Sequence, residues 1–156
     1  MKKALAILLL CVGVFSCDED VFPYHSTDYL IFGSFGNECS GDCMTAYRVT
    51  DLKVEEDDWT QRFSNDYQFI PTRLLDSDAL QRAQELMENL PADLINNDEE
   101  RYGCPDCADQ GAVFLTFHQR GEQRTIVLDN RDTDDMSAAI VAYKDSLWDF
   151  FFDFRE

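Results

Sequence analysis

Four cysteines in two closely spaced pairs are the residues whose type and spacing could do chemistry. Three residues separate Cys39 from Cys43, and two residues separate Cys104 from Cys107. Each pair lies in a polar, glycine-containing segment that precedes a predicted strand. Such segments have little apolar area to order them, so a covalent or metal cross-link would stabilise them.

Three kinds of chemistry fit this spacing, and the sequence leaves them open. The four thiols can form two disulfides, for which three pairings exist, and each bridge would stabilise the fold by roughly 2–4 kcal/mol. Alternatively, Cys39, Cys43, Cys104 and Cys107 ligate one zinc ion, which prefers four ligands in a tetrahedron. As a third alternative, the Cys-Pro-Asp-Cys pair is the redox centre of a thiol-disulfide oxidoreductase, although the acidic residues around it would raise a thiol pKa. We predict disulfides.

A fifth cysteine, Cys17, ends a segment that is typical of an export signal. The chain begins with Lys2 and Lys3, continues with an apolar run from Ala4 to Phe15, and reaches the small residue Ser16 just before Cys17. The run is shorter than the roughly 20 apolar residues that a membrane-spanning helix needs. It is therefore predicted to be a leader that is removed from the mature protein.

The sequence Val14-Phe15-Ser16-Cys17 resembles the lipobox of bacterial lipoproteins. The resemblance implies a signal peptide over residues 1–16 and a lipid on the sulfur of Cys17, with acyl chains such as palmitate. Asp18-Glu19-Asp20 resembles the acidic signal that sends such lipoproteins to the outer face of the outer membrane. Residues 17–26 would then be an acidic, lipid-anchored tether, and the membrane a partner through the N-terminal lipid.

The charge of the chain limits its other partners. Thirteen Lys and Arg stand against 31 Asp and Glu, which gives a formal net charge of −18 at pH 7. Nucleic acid binding needs clustered basic residues that displace counterions from phosphates. Since the sequence has no such cluster, we expect no nucleic acid partner, and the charge favours solubility, a cation or a basic protein.

Residues 27–156 are predicted to form a single domain. Alternating apolar residues predict strands over 27–35 and 44–50, and a third strand that includes Leu52 and Val54. Apolar residues at helical spacing predict a helix that begins at Asp76 or Ser77 and ends before Pro91.

The second half of the domain repeats this pattern loosely. A hairpin is predicted from two alternating segments around a turn at Arg120-Gly121, and a last helix is predicted to be capped by Asp134 or Asp135. The oxygen-rich segment 129–135 lacks the glycine and glutamate of an EF-hand, so we expect a polar loop there. The predicted fold is α+β, with a mainly antiparallel sheet in strand-strand-helix-strand-strand-helix order and helices covering one face.

A further resemblance covers about residues 28–150. The segments Cys39-Ser40-Gly41-Asp42-Cys43 and Gly103-Cys104-Pro105-Asp106-Cys107 resemble those of small bacterial lipoproteins of the Bacteroidota type. This resemblance implies an α+β domain and a lipoprotein context, and it brings no catalytic residue. The predicted function is therefore a lipid-anchored envelope protein that acts as a non-enzymatic binding or structural module stabilised by cysteine pairs.

Overall fold

The computed structural model describes residues 28–36, 44–58, 60, 62–64 and 66–155. Within these residues lie seven strands and three helices. In chain order they are β1 (Tyr29–Phe35), β2 (Met44–Val49), β3 (Val54–Asp57), β4 (Pro71–Leu74), α1 (Ser77–Glu88), α2 (Ala92–Ile95), β5 (Arg101–Tyr102), β6 (Ala112–Gln119), β7 (Glu122–Asp129) and α3 (Ala138–Phe154).

The strands form one sheet in the order β4-β3-β2-β1-β6-β7-β5. All neighbours pair antiparallel except β5 and β7, which are parallel. The predicted α+β class with a mainly antiparallel sheet is confirmed. The predicted order of elements is partly wrong, because β4 lies between β3 and α1 while α2 and β5 lie between α1 and β6.

The missed elements have weak sequence signals. Strand β4 begins with Pro71 and is mostly exposed, as expected for an edge strand, and β5 has only two residues. Leu52, predicted within the third strand, precedes β3 and is 79% exposed. The strand begins at the fully buried Val54 instead, because that side chain enters the core.

The helices pack on one face of the sheet. Alternate strand residues such as Leu30, Phe32 and Leu115 share a buried cluster with Leu86 of α1 and Phe150 of α3. A smaller cluster lies on the opposite face, where it includes Ile31, Ala46 and Phe114. Three aromatic residues of the loop between β3 and β4 pack against this smaller cluster: Phe63, Tyr67 and Phe69. We call this second side of the sheet the loop face.

Gly33 allows the loop face to pack closely in the middle of β1. It pairs with Ala46 on one side and with Phe114 on the other. A Cβ atom at Gly33 would lie 2.7 Å from Cε1 of Phe114 and would overlap the carbonyl oxygen of Thr45. The missing side chain therefore makes room for the Phe114 ring over the strand.

Polar side chains cap the N-terminal ends of the two long helices, α1 and α3. The carboxylate of Asp76 accepts hydrogen bonds from the backbone N–H groups of Asp78 and Ala79, so the predicted start of α1 is confirmed. The predicted caps of the last helix are wrong, because Ser137 caps α3. The carboxylate of Asp135 instead accepts hydrogen bonds from the N–H of Gly103 at 2.7 Å and from the hydroxyl of Thr133 at 2.5 Å.

Candidate functional site

The second cysteine pair forms a disulfide. Cys104 and Cys107 are bonded to each other, and their Cα atoms lie 5.5 Å apart, within the roughly 7 Å that a bridge requires. The bridge confirms a disulfide at this pair and selects the local pairing over one that joins the two pairs. Cys17, Cys39 and Cys43 lie outside the described residues, so their lipidation and pairing stay predictions.

Hydrogen bonds hold the loop over 103–111, which we call the cysteine loop. The carboxylate of Asp129, at the end of β7, accepts the N–H of Cys104 at 3.0 Å, the amide of Gln110 at 3.1 Å and the N–H of Arg131 at 2.9 Å. Burial alone would raise the pKa of Asp129, but these donors outweigh it and the pKa lies below its ordinary value. The loop is thus anchored by an ionised carboxylate as well as by the bridge.

The surroundings of the bridge bear on the two alternatives to a structural disulfide. The bridge lies in turns between β5 and β6, and no helix begins there, so no helix N-terminus lowers a thiol pKa. Sulfurs bonded to each other are not thiolate ligands, so a zinc site that includes Cys104 and Cys107 requires the reduced protein. Within the described ranges, no group of three or more His, Cys, Asp or Glu side chains is arranged to hold a metal.

The oxygen-rich segment that follows β7 closes around a lysine. Lys144 of α3 is 1% exposed, and its ammonium donates hydrogen bonds to the carbonyls of Asp129 at 3.1 Å and Asn130 at 2.9 Å and to the carboxylate of Asp132 at 2.9 Å. The cation that these oxygens surround is therefore the ammonium of Lys144. The segment forms the polar loop that the sequence predicts.

A cleft of about 340 Å³ lies on the loop face of the sheet. Its floor consists of side chains from β1, β2, β6 and β7, and one wall is the loop between β3 and β4. The strand register brings the floor together, because Tyr29 pairs with His118 and Ile31 pairs with both Arg48 and Thr116. The cleft therefore collects residues that are far apart in the chain.

Four side chains form a continuous stack along the cleft. The guanidinium of Arg48 lies 4.9 Å from the ring centre of Phe69 and 5.7 Å from that of Tyr29. The ring of Tyr29 stacks on the imidazole of His118, with centroids 4.1 Å apart and an interplanar angle of 19°. Cations and aromatic faces attract each other at such distances, so the stack fixes the shape of the cleft. All four side chains keep part of their surface exposed.

The described lining of the cleft carries one formal charge, which is already paired. Arg48 donates to the carboxylate of Glu55 on β3 through Nη2 at 2.6 Å and Nε at 3.1 Å, and Lys53 donates to the same carboxylate at 2.7 Å. Burial raises the pKa of Glu55, but these two partners outweigh burial and lower it. Among the described residues, no carboxylate lines the cleft, whereas three other clefts of the described chain each include at least one.

The remaining polar groups of the cleft are neutral at pH 7. Burial, and then the charge of Arg48, lower the pKa of His118, so its imidazole is uncharged. Burial and the nearby Asp57 carboxylate raise the pKa of Tyr67 well above its ordinary value. The hydroxyls of Thr116 and Thr125 bond to each other at 2.9 Å. The arrangement is suited to binding an uncharged molecule with both apolar and hydrogen-bonding surfaces.

The sequence patterns did not predict this cleft. His118, near the end of the β6-β7 hairpin, lies opposite Tyr29 across the sheet. The sequence does contain a signal that both faces of the sheet are covered, since aromatic or apolar residues occupy both sides of the alternation in β1 and β6. A strand that is apolar on both sides is covered on both faces of its sheet, so the loop face is more than a solvated surface.

Two comparisons bear on the family of this chain. No protein-family model matches the chain, and no curated protein matches it significantly. The resemblance to Bacteroidota lipoproteins therefore stays a prediction. None of the helices in the described part of the chain is long and apolar enough to cross a bilayer.

Proposed function

We propose that this protein is a lipid-anchored, non-enzymatic binding module of the bacterial envelope, and that it binds its ligand in the cleft of the loop face. The leader and the Ser16-Cys17 junction support the anchor. The observation that carries the binding role is the partly exposed stack of Arg48, Tyr29 and His118, in a cleft that no described carboxylate lines. The resemblance to lipoproteins supports an outer-membrane, cell-surface location.

The size and lining of the cleft support binding of a small molecule or of one segment of a larger one. Its volume of about 340 Å³ lies at the low end of the range for small-molecule sites. Such sites combine apolar and aromatic walls with a few polar groups that orient the ligand. Here Tyr29 and Phe69 supply aromatic walls, while Arg48, Gln123 and His118 supply polar groups.

The hydrogen bonds of the cleft favour binding over catalysis. Nucleophilic catalysis needs a hydroxyl or thiol bonded to a general base. The hydrogen bonds from Thr116 to Thr125 and from Arg48 to Glu55 join no nucleophile to a general base. The hydroxyl of Tyr67 lies near the carboxylate of Asp57, but the pKa of Tyr67 is raised well above the ordinary value, so the phenol stays protonated. We therefore assign no reaction to the cleft.

A thiol-disulfide oxidoreductase remains the second candidate, since a disulfide joins two exposed cysteines, Cys104 and Cys107. The acidic residues around the bridge would keep the pKa of the reduced thiols high, so we expect the bridge to resist reduction by glutathione. Titration of the bridge in glutathione buffers distinguishes the two roles. Metal analysis of the reduced protein tests the zinc alternative with Cys39, Cys43, Cys104 and Cys107.

The anchor is tested at Cys17. In the native host, mass spectrometry of the mature protein should find an acylated Cys17 as the first residue. Cys17→Ala should abolish acylation and cleavage at this site. Cys11→Ala is the matched control, because it removes a cysteine of the leader and should leave both unchanged. A mature terminus other than acylated Cys17 would contradict the anchor.

The surface address is tested at the tether. Replacing Asp18, Glu19 and Asp20 by alanine should leave the protein lipidated but hidden from protease added to intact cells. Unchanged digestion by external protease would show that the acidic residues are a spacer without a role in targeting.

The binding role is tested by what the protein carries out of its native host. Wild type and Phe152→Ala should co-purify with a compound that the double variant Tyr29→Ala/His118→Ala lacks. Phe152 is a suitable control because it is an aromatic residue on α3 that is 78% exposed. Mass spectrometry of extracts from the three purified proteins reads this out. Identical extracts would refute ligand binding in the cleft.

A further inference from the structure

Two aromatic side chains of the cleft form the ends of its stack. Tyr29 lies inside the stack, between the imidazole of His118 and the guanidinium of Arg48, while Phe69 and His118 lie at the two ends. Both end residues retain exposed surface. Aromatic faces bind apolar surfaces of matching shape at low entropic cost because their side chains have few rotatable bonds. A ligand with a flat, partly apolar ring would extend the stack at either end.

The charges around the cleft select against ionic ligands. A cation would meet Arg48 and, among the residues that the structure describes, no lining carboxylate. An anion would find the positive charge of Arg48 already neutralised by Glu55, whose side chain is only 12% exposed. The net charge of −18 also repels anions from the protein as a whole. The ligand that fits is uncharged.

The hydrogen-bonding groups of the cleft both donate and accept. The bonds from Arg48 to Glu55 use its Nε and Nη2 nitrogens, while a guanidinium has five N–H donors in total. A neutral imidazole such as His118 has one donor and one acceptor, and the amide of Gln123 has both kinds of group. Hydroxyl groups also donate and accept, so a ligand rich in hydroxyls would satisfy this set.

We infer that the ligand is a neutral sugar unit of a glycan, with an apolar ring face stacked on Phe69 or His118 at an end of the stack and hydroxyls bonded to Arg48. A sugar ring combines a C–H face with hydroxyls around its edge, which are the two surfaces that the cleft complements. The inference rests on the proposed function, because it names the ligand class of the same cleft.

The test is an array of neutral, sialylated, sulfated and uronic-acid glycans, probed with the lipidated full chain in detergent. Neutral glycans should bind. The affinity should fall at least tenfold for Tyr29→Ala and for Gln123→Ala, and should be retained for Phe152→Ala. The second cleft variant guards against misfolding, because Gln123 is exposed and its replacement leaves the core intact.

Three results would overturn the inference. They are binding to acidic glycans alone, binding to no glycan, and equal binding by wild type and both cleft variants. The compound that co-purifies from the native host separates this inference from the proposed function. A peptide or an aromatic metabolite that is lost from the double variant Tyr29→Ala/His118→Ala would exclude the sugar and leave the binding module standing.

Discussion

Replacing Lys144 by methionine should destabilise the protein far more than replacing an exposed lysine. Methionine keeps an apolar stem of similar length but removes the ammonium that closes the loop after β7. The ammonium donates to the carbonyls of Asp129 and Asn130 and to the carboxylate of Asp132. All three acceptors would lose their donor at once, while the core around the stem would stay filled.

The magnitude follows from how well water can replace the ammonium. A buried acceptor left without a donor costs about 1–3 kcal/mol. Asp129 is 1% exposed and Asn130 is partly exposed, whereas the side chain of Asp132 is 66% exposed and regains water. The two carbonyls together should therefore lower the free energy of unfolding by about 2–4 kcal/mol.

Urea unfolding measures this loss, and Lys53→Met is the matched control. The side chain of Lys53 is 47% exposed and bonds to Glu55 at 2.7 Å, and exposed pairs of this kind contribute at most about 1 kcal/mol. The midpoint should fall clearly for Lys144→Met and little for Lys53→Met, with the slope of the transition unchanged in both. Millimolar calcium should not raise the midpoint of the wild type.

Equal losses for the two variants would refute this reasoning. They would mean that the carbonyls of Asp129 and Asn130 find other donors, and that the ammonium of Lys144 does not organise the loop. Stabilisation of the wild type by calcium would contradict it in a second way, because it would place a metal ion among the same oxygens.

Further predictions concern the bridge, a close backbone approach and a histidine. Replacing Cys104 and Cys107 by serine should lower the free energy of unfolding by about 2 kcal/mol, because a bridge that closes so short a loop removes little entropy from the unfolded chain. Thermal melting measures this loss, and an unchanged melting temperature would contradict it. Gly33→Ala should cost about 3 kcal/mol or more through overlap with β2 and β6, whereas Gly36→Ala, which meets no atom within 4 Å, should be tolerated in urea unfolding. Since folding lowers the pKa of His118, its contribution to stability is complete above the unfolded pKa of about 6.5 and is lost as the pH falls below it. The variant His118→Gln should flatten this loss below about pH 6.5, and an unchanged pH profile would contradict the assignment.

Local patterns predicted the elements whose signals lie close together in the chain. The cap at Asp76 and the apolar stripe that ends before Pro91 located α1, because the backbone needs of a helix end are met by nearby side chains. The hairpin of β6 and β7 around Arg120-Gly121 was predicted for the same reason. The cap of α3 was missed because Asp135 bonds to Gly103, a partner 32 positions away.

The cleft depends on contacts that no local pattern contains. Tyr29 meets His118 only through the register of β1 and β6, and Arg48 meets Phe69 only because the loop after β3 folds back over the sheet. The disulfide was predicted as a type of bond, but its pairing required the turn that brings Cys107 to Cys104.

The central claim is that the cleft of the loop face is the ligand site, and covalent labelling of His118 tests it most directly. Its neutral, partly exposed imidazole should react with diethylpyrocarbonate in the purified protein, and His25 in the same chain serves as the internal reference. Adding the compound that co-purifies from the native host should slow the labelling of His118 severalfold and leave that of His25 unchanged. If the compound binds and His118 still reacts at its original rate, the ligand site lies elsewhere.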